Sequence, residues 1–291
     1  MRNKYKILIF GNGFLGSKIY RHFSDNGFDT TCADIVVNAD YVQLIDARDG
    51  RDVDKLINRE IPNVIINTIA LSSYYACEKN PELCNDLNVI VNSNILNSIK
   101  EKNIKHIYIS SSYVFDGVKG NYTEEDRPNG KSVYAKSKIL SEENTLKLEN
   151  SAVIRLEPLY GYDHIKNEIK LGTNYLSKLI EKRNPMMMRA PILINDVPRA
   201  LEIIINDDLR GVYHLCGNEK FEFNNFIEKL SSISGISYQP SDINSNDWII
   251  HPPFDTTLCN DKIKKHNFYT NNLESSVNFL TEMGIKNESN N

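Results

Sequence analysis

Tryptophan occurs once and cysteine five times in these 291 residues. The cysteines (Cys32, Cys77, Cys84, Cys216 and Cys259) are odd in number, scattered, and never spaced as C-x-x-C. That excludes a disulfide framework and fits thiols in a reducing compartment, so the Asn121 and Asn287 sequons carry no weight. No apolar run approaches the roughly 18 residues a membrane helix needs. The net charge is −4 and no basic cluster occurs, which argues against a nucleic-acid surface. Six histidines show neither H-E-x-x-H nor another paired metal spacing, so no metal site is expected. No repeat or low-complexity linker divides the chain, and no signal-peptide pattern precedes the strand-like run Tyr5–Phe10. A cytoplasmic location is the expectation.

What is present begins with Lys6–Phe10, a short branched apolar run read as a buried strand. It leads into Gly11-Asn12-Gly13-Phe14-Leu15-Gly16. Helical spacing at Leu15, Ile19 and Phe23 follows until Gly27. This is G-x-G-x-x-G between strand and helix, where glycines permit a tight turn and close approach of a pyrophosphate to the loop Gly11, Gly13, Phe14, Leu15 and Gly16. The helix amino terminus then favours the anion. The next strand ends at Asp34, 18 residues past Gly16. A carboxylate there suits adenosine ribose hydroxyls and repels a 2′-phosphate, favouring NAD(H) while leaving NADP(H) open. Further strands are expected at Val42–Ile45 and Val64–Ile66, a helix at Asp52–Asn58, and one long helix at Glu82–Lys100. Such alternation predicts a parallel, doubly wound α/β sheet.

The segment His106–Lys138 carries the chemistry. A strand ending in Ser110, Ser111 and Ser112 is followed by a loop and a helix presenting Tyr134 and Lys138 on one face. A nearby ammonium lowers a phenol's pKa, and an adjacent hydroxyl can hold a carbonyl oxygen, so the trio suits carbonyl reduction. Y-x-x-x-K also occurs at Tyr75–Lys79 and Tyr162–Lys166, but only Tyr134 lies one loop beyond a serine-bearing strand, 23 residues from Ser111. Later elements are a strand at Ala152–Leu156, a helix at Asn174–Arg183, a strand at Ile192–Ile194, and a helix from Asp196 to Ile205. A strand at Gly211–Leu215 and helices at Phe223–Ile233 and Leu273–Met283 complete the chain. Met186–Met188 reads as gap-filling core. Lys170, Arg183 and Arg189 are cations available to a substrate pyrophosphate.

Together, GNGFLG, Asn67–Ala70, the stretch SSSYVFDG (Ser110–Gly117), Tyr134–Lys138 and HPPFDTTL (His251–Leu258) resemble the extended short-chain dehydrogenase/reductase family. Within it they are most similar to the dTDP-4-dehydrorhamnose reductase group. The resemblance implies a Rossmann-type sheet over residues 1–160. A smaller, interdigitated substrate-binding part would span 161–291, with some segments returning to the sheet. It implies Ser111 on the substrate oxygen, Tyr134 as proton donor, and Lys138 on the nicotinamide ribose. Asn88 would serve a water relay, Asp46 and Ala47 would meet adenine, and Ala70 would line the cofactor. Ser111, Ser112 and Tyr113 would meet substrate.

The implied activity is NAD(P)H-dependent reduction of a keto-deoxy sugar on a nucleoside diphosphate, in surface-polysaccharide or deoxysugar biosynthesis. The protein would be a monomer or a homodimer, with neither nucleic acid nor membrane as partner. Two alternatives are a nucleotide-sugar epimerase and a non-catalytic NAD(P)-binding regulatory subunit. The chain departs from the family where its first loop glycine becomes Phe10, where an aspartate becomes Ser112, and where a tryptophan becomes Pro158 beside Glu157. Ser112-Tyr113 in place of Asp-Glu argues against 4,6-dehydration.

Overall fold

A computed structural model of the chain describes residues 5–163, 166, 168–171, 174–175, 187–234 and 253–276. Seven parallel strands form the main sheet: β1 (Lys6–Phe10), β2 (Asp29–Asp34), β3 (Val42–Leu44), β4 (Val64–Asn67), β5 (Lys105–Ser111), β6 (Ser151–Leu156) and β12 (Gly211–Leu215). Their order is β12-β6-β5-β4-β1-β2-β3. The order therefore reverses between β1 and β4, and a crevice opens outside the carboxyl ends of those strands.

Strand pleating sorts the apolar residues. Ile7 and Ile9 pack on one face with Ile19 and Phe23 of α1 (Phe14–Asp25) and Leu201 and Ile204 of α7 (Asp196–Asn206). Leu8 and Phe10 pack on the other with Leu56 of α2 (Gly50–Glu60) and Ile95 and Ile99 of α5 (Val91–Ile99). Because both faces are covered, the strands read as continuous apolar runs.

The expected helix over Glu82–Lys100 is present without a break, but it is not α-helical throughout. It comprises α4 (Pro81–Asn85), a π-helical turn (Asp86–Ile90) and α5. The π turn accommodates Asn88, whose amide is spent on neighbouring elements instead of solvent. The helix expected from Asn174 is also corrected. Asn174–Tyr175 is strand β9, paired with β8 (Glu168–Leu171), which pairs with β7 (Leu159–Asp163). The remainder of that expected helix, with Arg183 and Met186, lies outside the described residues, as do His251 and Pro252.

In the smaller sheet β7 also pairs with β11 (Ile192–Leu193). Its apolar residues Tyr160, Tyr162 and Leu193 pack on Phe226 and Leu230 of α8 (Phe223–Ser234). A two-stranded ribbon joins β10 (Met188–Arg189) to β13 (Phe221–Glu222). Residues 273–276 are helical, and what was expected beyond them lies outside the described residues. No helix among the described residues is long and apolar enough to cross a membrane.

His106, the second residue of β5, is fully buried, and neither ring nitrogen has a partner among the described residues. Burial lowers its pKa to about 3, and burial with the Arg155 charge does the same to His214. An unfolded histidine near the ordinary 6.5 takes a proton first as pH falls. Stability is therefore lost on acidification from 6.5 towards 3, by roughly 2 kcal/mol per histidine at about pH 5. His106→Leu removes two unpaired polar atoms and is expected to raise stability by about 1–3 kcal/mol. The gain should grow as pH falls from 7 to 5 in urea titrations; equal gains at both pH values would refute the assignment.

Candidate active site

The crevice holds a cleft of about 910 Å³. Gly11, Gly13, Phe14, Leu15, Gly16, Asp34, Asp46, Ala47, Ala70, Ser111, Ser112, Tyr113, Tyr134 and Lys138 all line it. Asn88 does not.

At one end the glycine loop forms a cradle without side chains. Gly11 has φ +95°, and a Cβ there would stand 2.6 Å from Thr68 Oγ1. Phe10 is a buried strand residue below the loop, so Gly11 supplies the turn that the family's earlier glycine supplies. A Cβ on Gly16 would stand 1.9 Å from the Gly11 carbonyl oxygen, whereas Gly13 has open space above it. No side chain caps α1 at Gly13, so its first N–H groups remain for an anion. These features fit a dinucleotide pyrophosphate. Gly16→Ala is expected to lower dinucleotide affinity at least about tenfold and stability by about 1–3 kcal/mol. Fluorescence titration and thermal melting check this; wild-type values in both would contradict it.

Asp34 ends β2 and accepts hydrogen bonds from Asn12 N–H (2.6 Å) and Val36 N–H (3.0 Å), which fix its carboxylate beside the loop. Asp46 is clamped by Arg48 through two side-chain bonds of 2.9 and 2.6 Å. The Arg48 bond is the main reason its carboxyl lies below the usual range.

At the other end, Tyr134 and Lys138 project from α6 (Val133–Thr145). Ser132 caps that helix by accepting from Ala135 N–H. The Ser111 hydroxyl favours ionisation of the Tyr134 phenol, but burial is the main influence and pushes the phenol's pKa well up. The expectation of a phenol lowered by Lys138 is thus corrected for this structure: the downward pull comes from Ser111, and the phenol stays protonated at neutral pH. Lys138 donates to the Ile109 carbonyl at 2.7 Å and sits 4.2 Å above the Tyr108 ring. Burial lowers its pKa to about 7, opposed by the Glu142 carboxylate. An ammonium has three donors, and Ile109 takes one.

Asn88 is a positioning residue instead of a cleft residue. Its Oδ1 accepts from Leu71 N–H (2.7 Å) and its Nδ2 donates to Ser137 Oγ (2.9 Å), tying the cleft rim to α6. A π turn at such a place is a common way to re-aim a side chain. Ser112, expected against substrate, is buried, and its hydroxyl accepts from Thr256 Oγ1 at 3.3 Å. Tyr75–Lys79 forms an exposed cation–π pair, and Tyr162 lies in the small-sheet core.

Sequence reasoning did not place Tyr74 in the cleft, met Glu157 only beside a departure from the family in a stretch that touches substrate there, and offered Arg189 only as one of three cations. Tyr74, Tyr113 and Tyr134 form an edge-to-face series with centroids 6.0 and 6.2 Å apart. The Arg189 guanidinium lies 5.0 Å from the Tyr113 ring centre. These residues come from separate elements, and no local spacing signals their meeting. The described tail braces this floor. Tyr122 N–H donates to Thr257 O (2.8 Å), Asp255 N–H to Gly117 O (2.9 Å), and Thr256 reaches Ser112.

A family model described as RmlD substrate binding domain matches residues 5–282. The chain belongs to this family. It is 27% identical over 226 residues to methionine adenosyltransferase 2 subunit beta of Mus musculus, covering 74% of this chain and 68% of the relative. It is 26% identical to the spore coat polysaccharide biosynthesis protein SpsK of Bacillus subtilis, covering 79% and 80%. A solved dTDP-4-dehydrorhamnose reductase of Bacillus anthracis, in complex with NADP, superposes with a TM-score of 0.80 at 20% identity, over 96% of this chain and 98% of that one. This RmlD-family chain thus shares the extended short-chain dehydrogenase/reductase fold.

Proposed function

We propose that the protein is an NAD(P)H-dependent reductase of a keto-sugar carried on a nucleoside diphosphate. The observation that carries this reading is the meeting of Ser111, Tyr134 and Lys138 in the same cleft as the bare glycine cradle. Family membership and the likeness to the polysaccharide biosynthesis relative support it. A dinucleotide would lie with its pyrophosphate on Gly13–Gly16, its adenosine beside Asp34, Asp46 and Ala47, and its nicotinamide ribose toward Lys138. Bound NAD(P)H supplies the hydride.

The chain's own residues do the rest. Ser111 holds the carbonyl oxygen and stabilises the charge that develops there. Tyr134, kept protonated by burial, gives its proton to that oxygen, so the carbonyl gains one hydride and one proton. Lys138, near 7, is matched to return a proton to the phenolate at neutral pH. The carboxylate of Asp34 supports a preference for NADH.

Absorbance at 340 nm with NADH or NADPH and a panel of dTDP-, UDP- and GDP-linked 4-keto sugars tests the reading. Stoichiometric consumption of NADH supports it, and no consumption with any of them refutes it. A second reading, a dinucleotide-binding regulatory subunit, is favoured by the likeness to the methionine adenosyltransferase subunit. It predicts a stable complex with a partner enzyme and no net oxidation. An epimerase would recycle its cofactor and consume none.

A further inference from the structure

Glu157 follows β6 directly, beside the strand end where Ser111 pairs with Leu156. It is 1% exposed, yet it lines the cleft. Its Oε2 accepts from Ala190 N–H at 3.1 Å, but Oε1 has no partner among the described residues.

Arg189 lines the same cleft and is also 1% exposed. Its Nη1 donates to the Met188 and Phe254 carbonyls at 2.7 and 2.9 Å. Its Nη2 donates to the Pro253 carbonyl at 2.8 Å, and reaches Tyr113 Oη at 3.3 Å and Met187 Sδ at 3.4 Å. With those terminal nitrogens committed, Arg189 is poorly placed to clamp a pyrophosphate. Its Nε alone is unpartnered. Two neighbouring residues therefore each keep one unmatched atom, an acceptor on Glu157 and a donor on Arg189. Leaving such atoms buried and unpaired is costly. One group that donates to the first and accepts from the second would satisfy both, and that describes a hydroxyl. An ammonium only donates, and Arg189 would repel it.

We infer that Glu157 and Arg189 form a hydroxyl subsite that selects sugars bearing a hydroxyl close to the reacting carbonyl. The inference rests on the nucleotide-sugar reading and deepens it by naming the group selected. Burial raises the Glu157 carboxyl to about 7, against the pull of Arg189.

The test is calorimetric binding of dTDP-glucose and its 3-deoxy, 6-deoxy and 3-amino-3-deoxy analogues, with dTDP alone as reference. Wild type, E157Q and E157L are compared. Wild type is expected to bind the hydroxyl-bearing sugar at least about tenfold more tightly than one of the deoxy analogues. In E157Q the Ala190 N–H retains the amide oxygen and turns a donor into the subsite. The preference should then shrink to within about threefold while dTDP affinity is unchanged, and E157L should behave alike. Wild type binding all sugars equally would mean that water fills the gap, and would overturn the inference. So would a preference that survives both variants. Binding is read apart from turnover: a protein that discriminates without oxidising NADH refutes the reductase reading and leaves the subsite standing.

Discussion

Tyr134→Phe is expected to lower turnover by about 10²–10⁴-fold and to leave the dissociation constant for NADH within about threefold of wild type. The variant removes one oxygen, the phenol hydroxyl that would give up the proton. The ring itself packs against Cys77, Cys84 and the edge of Tyr113, and phenylalanine keeps those contacts. Loss of one hydroxyl should cost about 1 kcal/mol of stability or less, too little to unfold the domain. Steady-state kinetics and a fluorescence titration separate the two effects. Wild-type turnover in the variant would remove Tyr134 from the chemistry.

Glu142→Leu is expected to destabilise the protein by about 3–5 kcal/mol, because Arg155 would then be buried without its counter-charge. The pair is 3% exposed on each side, with Arg155 Nη2 and Nε donating to the carboxylate at 2.8 and 3.1 Å. Ser110 donates to the same carboxylate, and Arg155 continues to His214 at 3.3 Å. This network lies directly behind the strand that presents Ser111, and Glu142 is the charge that most favours protonation of Lys138. The double variant Glu142→Leu, Arg155→Met should recover most of the loss, since apolar residues can replace a buried ion pair. Urea titration measures both. A single variant as stable as wild type would show that the pair is not held in this low-dielectric setting.

The features legible from sequence are those whose partners are close along the chain. GNGFLG sits between one strand and one helix, so its turn, its φ at Gly11 and its open space at Gly13 follow from local context. Ser111 and Tyr134 are separated by a single loop, and strand-to-helix packing can bring them together. The parallel sheet followed from alternating short strands and helices. What was hidden depends on tertiary packing. Asn88 has a plain helical spacing, and only the Leu71 and Ser137 partners reveal the π turn and its positioning role. Asn174 looks helical by composition, yet pairing with Lys170 and Leu171 makes a strand edge. Glu157, Tyr74 and Arg189 reach one cleft from three elements, and the descent of the tail onto Gly117 and Tyr122 commits the Arg189 donors. The charge state of the Tyr134–Lys138 pair was the least legible, because burial outweighs spacing in setting both pKa values.

The most direct test of the central claim is the fate of deuterium from NADH labelled at nicotinamide C4, read by mass spectrometry and NMR of the sugar product. The account predicts one deuterium on the former carbonyl carbon of a nucleotide-linked sugar, transferred by wild type and lost in Tyr134→Phe. Unlabelled sugar throughout a panel of keto-sugar nucleotides, with NADH bound but never oxidised, would contradict it.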